Sequence, residues 1–142
     1  MQNYNSKLKN LIKDVEEDGQ KKISDYVRSV LHLYNLKLGQ VKISRQKLKP
    51  KSICVAFVEE SRLDEAKWLA NNKYKNKIPP PVVLIQYKDK KVIFAGSNRS
   101  LVFLLKRKNP DCIVIELPKK LSEPKIIKEA KITLSDIFKR GV

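Results

Sequence analysis

Two apolar runs near the middle of the chain, separated by three charged residues, restrict its fold more than any other feature. Val82–Tyr87 (VVLIQY) and residues 91–95 (KVIFA) flank Lys88-Asp89-Lys90. Both runs are rich in β-branched and aromatic residues and too short for helices, and the trio between them suits a hairpin turn. Pro79-Pro80-Pro81 forces an extended approach into the first run, because proline fixes φ and removes a donor. Gly96 ends the second run. With the elements on either side, the order becomes helix–helix–strand–helix–hairpin–helix–strand–helices. That order predicts an α+β domain with a small mixed sheet and flanking helices.

The flanking elements follow from spacing and punctuation. Leu8, Leu11, Ile12 and Val15 keep helical spacing up to Asp18-Gly19, and Ile23, Val27, Val30, Leu31 and Tyr34 form a second stripe closing near Asn35. His32 lies in this second helix and has no partner constellation for catalysis. After Gly39 the chain turns basic and extended. Residues 41–48 read as a short strand ending before Pro50, and residues 53–58 (ICVAFV) as a buried strand. Glu59-Glu60-Ser61 leads into a helix whose apolar positions are Leu63, Ala66, Trp68 and Leu69. Residues 99–108 read as a helix with Leu101, Leu104 and Leu105 inward. Lys106, Arg107 and Lys108 stand at its C-terminal end, where cations complement the helix dipole. Residues 112–117 (CIVIEL) are a further strand, and Ser122 and Ser135 suit the caps of two short helices.

Charge narrows the partner. The chain has 142 residues, with 31 Lys and Arg against 15 Asp and Glu, for a net charge of +16. Residues 1–40 hold 7 basic and 5 acidic groups, so the surplus belongs to the rest of the chain. Such a field attracts polyanions, although 25 of the 31 cations are lysines and a lysine-rich surface also serves solubility. An apolar fraction of 42% suits a globular protein. There is no long apolar run for a membrane span, and the N-terminus lacks the apolar core of a signal peptide, which points to the cytoplasm. Cys54 and Cys112 are expected to be two separate thiols, and one histidine with two cysteines is too few soft ligands for structural zinc.

One segment carries chemistry. Residues 91–105 (KVIFAGSNRSLVFLL) run strand, glycine, small polar pair, arginine, helix. Gly96 lets the backbone turn sharply, so the amides of Ser97, Asn98 and Arg99 can face outward at a helix N-terminus, where a phosphate is favoured. Ser97, Asn98 and Ser100 can add hydrogen bonds, and Arg99 can grip two phosphate oxygens. The alternative is a plain helix cap, with Ser97 or Asn98 satisfying the first-turn amides.

In this stretch the chain resembles the superfamily of ParB N-terminal and sulfiredoxin-like domains. The matching motifs are Leu48-Lys49-Pro50 after a strand, Pro80-Pro81-Val82-Val83, a hairpin into Gly96-Ser97-Asn98-Arg99, and a closing strand through Ile113-Val114-Ile115. The resemblance covers just over half the chain. It implies a domain over residues 39–142 with an N-terminal helical extension over residues 1–38. Where sulfiredoxins carry a reactive cysteine and a histidine, this chain has Ser97 and Asn98, so that activity is set aside. The family's free-serine kinases place an acidic residue before the glycine and a histidine before the arginine; here these are Ala95 and Asn98. Glu59 or Glu60 falls near the position of the kinase general base. Partition proteins add a downstream helix-turn-helix, for which the roughly 25 residues after Leu117 are expected to be too few, a module being a good part of a domain. Other members, in plasmids and phages, bind DNA without sequence preference, and some cut it.

The leading expectation is therefore a sequence-independent DNA-binding protein with DNA-cleaving activity assisted by Mg²⁺ or Mn²⁺. Lys42, Arg45, Lys47, Lys49 and Lys51, then Lys73, Lys75 and Lys77, with Lys106 and Arg107, would neutralise phosphates. Arg99 would counter charge on the scissile phosphate, and Glu59 and Glu60 are the candidate catalytic carboxylates. Few aromatics accompany these lysines, so base stacking is expected to be secondary. Two alternatives stay open. One is a nucleotide-using enzyme with its phosphates on residues 96–99. The other is a non-enzymatic DNA-coating protein that dimerises through its N-terminal helices.

Overall fold

The structure, a computed structural model, describes residues 2–56 and 61–140. Helices α1 (Gln2–Ile12) and α2 (Glu17–Leu33) precede strand β1 (Lys42–Lys47) and a two-residue strand β2 (Cys54–Val55). Helix α3 (Ser61–Asn71) leads to the hairpin of β3 (Val82–Tyr87) and β4 (Lys90–Ala95). Then come α4 (Ser97–Leu105), β5 (Asp111–Glu116), α5 (Lys125–Glu129), β6 (Ile132–Thr133) and α6 (Leu134–Arg140). The strands form one mixed sheet in the order β1-β5-β3-β4-β2-β6. The fold is α+β, as the element order predicts.

The apolar runs find their places in this sheet. Strands β3 and β5 lie side by side and parallel, with β4 and β1 antiparallel on their outer edges. A strand covered on both faces has no solvent side, so it reads as a continuous apolar run. Val83, Ile85, Ile113 and Ile115 pack on one face with Leu8 and Ile12 of α1 and Ile23, Val27, Val30 and Leu31 of α2. Val82, Leu84, Cys112 and Val114 pack on the other with Leu63 of α3, Leu101 and Val102 of α4, and Leu134 of α6. Each fully buried aliphatic side chain contributes about 1.5–3 kcal/mol. Burial also pushes the Cys112 thiol up to about 12. The stripes of α1 and α2 thus pack against the chain's own sheet. Among the described residues no helix is long and apolar enough to cross a membrane.

Several local expectations change. The strand expected over residues 53–58 is only Cys54–Val55, with residues 57 and 58 outside those described. It pairs with β4 on one side and on the other with β6, whose two residues carry no readable period. Trp68 does not point inward: it is 62% exposed. At about 100° per residue, it stands roughly 200° around the helix from buried Ala66. Helix α4 runs from Ser97 to Leu105, not to residue 108. Arg107 takes the left-handed conformation (φ 60°), and the amides of Arg107 and Lys108 close on the carbonyls of Leu104 and Phe103. The basic trio therefore follows the last turn.

Candidate functional site

Gly96 is the N-cap of α4 at φ 99°, in the left-handed region that a side chain strains. A methyl group there would lie 2.6 Å from Arg99 Nη2 and 2.8 Å from Val82 Cγ1. The glycine both turns the chain and leaves room for Arg99 to fold back against it. With glycine at the cap, no side chain closes the helix start, so the plain-cap alternative through Ser97 or Asn98 is not what forms. Ser100 is fully buried; its N–H donates to the Gly96 carbonyl and its hydroxyl to the Ser97 carbonyl. Its donors are committed inside the loop. The Asn98 amide donates to Glu65 Oε2 at 2.8 Å, while its Oδ1 is buried without a partner.

Arg99 is the unusual member. Its Nη2 donates to the Pro81 carbonyl at 3.2 Å, and its buried Nε has no hydrogen-bond partner. Among the described residues no carboxylate forms an ion pair with it. Burial lowers its pKa, and the nearby phenols of Tyr74 and Tyr26 offset part of that shift. An arginine held this way keeps its charge and lacks a counter-ion.

The guanidinium borders a cleft of about 760 Å³. Lys22 of α2, Lys47 at the end of β1, and Lys73 and Lys77 from the segment after α3 share the lining with Tyr74 and Ile78. The structure thus brings Lys47, Lys73, Lys77 and Arg99 together from three distant parts of the sequence. Lys22, Tyr74 and Ile78 were not foreseen as site residues. Helical spacing marks Lys22 only as a solvent position; packing of α2 on the sheet brings it here.

The rest of the charged lining is acidic: Asp14, Glu16, Asp18 and Asp111 accompany Arg45, which two of them bind. Arg45 donates from Nη2 to Asp111 Oδ2 at 2.7 Å and from Nε to Asp111 Oδ1 at 3.1 Å. Its Nη1 donates to the Leu11 carbonyl at 2.8 Å and to Asp14. These carboxylates raise the Arg45 pKa, and the hydrogen bond from Arg45 holds the Asp14 carboxyl below its usual range. Arg45 therefore ties the end of α1 to strands β1 and β5, and it has little left to offer a phosphate.

The remaining sequence-derived positions are spread out. Lys42, Lys49, Lys51, Lys75 and Arg107 are exposed and Lys106 is half-buried, all outside the cleft lining. Lys49 and Lys51 do not continue a one-faced ladder, because β1 ends at Lys47 and residues 50–52 form a tight 3₁₀ turn. Lys77 Nζ lies 3.9 Å from Glu16 Oε1, a solvent-exposed pair of little energetic weight. Glu59 and Glu60 lie outside the described residues. Among the described residues there is no group of three or more His, Cys, Asp or Glu side chains placed to hold a metal ion. Comparisons of this chain with protein-family models, with curated proteins and with solved structures found no match.

Proposed function

We propose that this chain binds nucleic acid without sequence preference and seats a backbone phosphate against Arg99. The observation that carries the reading is a cationic side chain without a carboxylate partner among the described residues, its buried Nε unpartnered, at the border of a cleft where Lys22, Lys47, Lys73, Lys77, Arg45 and Arg99 outnumber Asp14, Glu16, Asp18 and Asp111. Phosphate suits this site because a guanidinium offers several donors in a plane. A polymer suits it better than a single nucleotide because further exposed lysines, Lys42, Lys49, Lys51 and Lys75 among them, lie outside the cleft lining. Each phosphate neutralised there would release counter-ions and add affinity that falls with salt.

Cleavage of the bound phosphodiester extends this reading. Arg99 would stabilise charge on the phosphate, and Mg²⁺ or Mn²⁺ would activate the attacking water. Glu59 and Glu60, proposed for that step, come between β2 and α3 in the sequence.

Oligonucleotides of increasing length and supercoiled plasmid, mixed with the protein across a salt series in Mg²⁺, Mn²⁺ or EDTA, test both parts. Binding should strengthen with length, weaken steeply with salt and resist competition by mononucleotides. Arg99→Ala should cost more affinity than Lys77→Ala, about tenfold at moderate salt. Equal losses would reduce the loop to a structural turn. Full competition by a nucleoside triphosphate would favour the nucleotide-using enzyme instead. Nicking of the plasmid that requires a divalent metal and is lost with Arg99 would establish the hydrolase, and its absence would leave a binding protein.

A further inference from the structure

We infer that the nucleic acid is held as a single strand, with one unstacked base lying on the indole of Trp68. The inference rests on the nucleic-acid reading above and adds to it a strand preference and a contact residue. Trp68 is the chain's one tryptophan and, at 62% exposure, stands with Leu33 and Ile78 as an exposed large apolar side chain among the described residues. It sits in the last turn of α3, and the chain passes from that turn directly into the cleft lining. The Asn72 side chain donates to the Trp68 carbonyl at 2.7 Å, and the Tyr74 amide to the Leu69 carbonyl at 2.8 Å. Those bonds fold the chain back at the end of α3, so Lys73 of the cleft lining follows Trp68 within a short turn.

Charge complementarity selects the occupant. Asp64 and Glu65 stand one turn before Trp68 and would repel a phosphate, whereas residues 73–77, which follow it in the chain, carry three lysines. A strand whose base covers the indole is thus led toward Lys73 and Lys77 and the Arg99 cleft. A duplex cannot make this contact in its interior, because its base faces are already stacked on one another. Aromatic platforms beside a cationic groove suit single strands, and every base offers a face, so sequence preference stays low.

Fluorescence from a lone tryptophan reads this residue alone. Titrating the full chain with short oligo(dT) should quench its emission, while a duplex of the same length should bind with little quenching. Followed by labelled-oligonucleotide anisotropy, Trp68→Ala should weaken single-strand binding about tenfold, the effect of one lost stack, and duplex binding by less than about twofold. Trp68→Phe should recover most of the loss. Unquenched emission with oligo(dT) bound, or equal losses on both polymers, would overturn the inference and leave nucleic-acid binding standing. Binding to neither polymer would overturn both. Quenching that grows with protein concentration alone, and dimer formation lost in Trp68→Ala, would assign the indole to a contact between copies and overturn it as well.

Discussion

Arg45 and Arg99 border the same cleft, and their surroundings are opposites. Arg45 has two carboxylates and a carbonyl on its guanidinium. Arg99 has one carbonyl at 3.2 Å and an empty Nε. The first arrangement is that of a structural tie: every guanidinium nitrogen donates to a protein oxygen and two carboxylates offset the charge. The second leaves a guanidinium with no carboxylate partner among the described residues at the border of a space large enough for a ligand. A guanidinium becomes available to an anion only when the fold withholds its counter-ions.

Substitution at Arg45 should produce the largest change. Side-chain exposures of 22% for Arg45 and 13% for Asp111 make this a mostly buried pair. Arg45→Ala strands the Asp111 carboxylate and should cost about 2–4 kcal/mol, near the range for breaking a buried pair. Urea unfolding would measure it. A shift in midpoint no larger than that of an exposed lysine variant would break the contrast.

Gly96→Ala comes next. The methyl meets Arg99 Nη2 and the residue must keep φ 99°, so a loss of about 1–3 kcal/mol is expected. The double variant Gly96→Ala with Arg99→Ala should lose less than the sum of the singles, because one of the two clashes disappears. Strict additivity would mean that Arg99 does not lean on the glycine.

Arg99→Ala by itself should change stability by less than about 1 kcal/mol. It removes one long hydrogen bond and relieves a desolvated charge. The same variant should carry the affinity loss described above. A protein that unfolds as readily as Arg45→Ala would make Arg99 a second structural tie.

The smallest effect concerns pH. Arg45 depresses the Asp14 pKa in the folded state, so this carboxyl contributes stability above its unfolded value of about 3.9. That contribution is lost as pH falls through the lower folded value. Because Asp14 is 66% exposed, solvent screening keeps it small. Asp14→Asn should therefore be slightly less stable than the parent at neutral pH and converge with it in acid. Unfolding midpoints measured from neutral pH down through the carboxylate range would show the convergence.

Much of the fold was legible because covered strands and helices leave periodic marks. Val82–Tyr87 is a strand over the same residues in sequence and in space, and α2 buries the expected Ile23, Val27, Val30 and Leu31. Trp68 shows where such marks mislead: a helix of weak amphipathicity offers a large apolar residue, and its rotation is settled by what α4 and the sheet leave open. Arg45 misled in another way. Its carboxylate partners are 31 and 66 residues away, so its lack of free charge cannot be read from its basic neighbours.

Local chemistry therefore settled the strand runs, the helical stripes, the sharp turn at Gly96 and the cationic character of the molecule. These depend on residues within a turn or two of one another, or on simple addition of charge. Which cations stay unpaired, which meet in one cleft and which apolar side chain faces water were settled by packing. Those outcomes depend on the distances between segments far apart in the chain, and those distances exist only once α2, the lysine segment and the start of α4 close around the sheet.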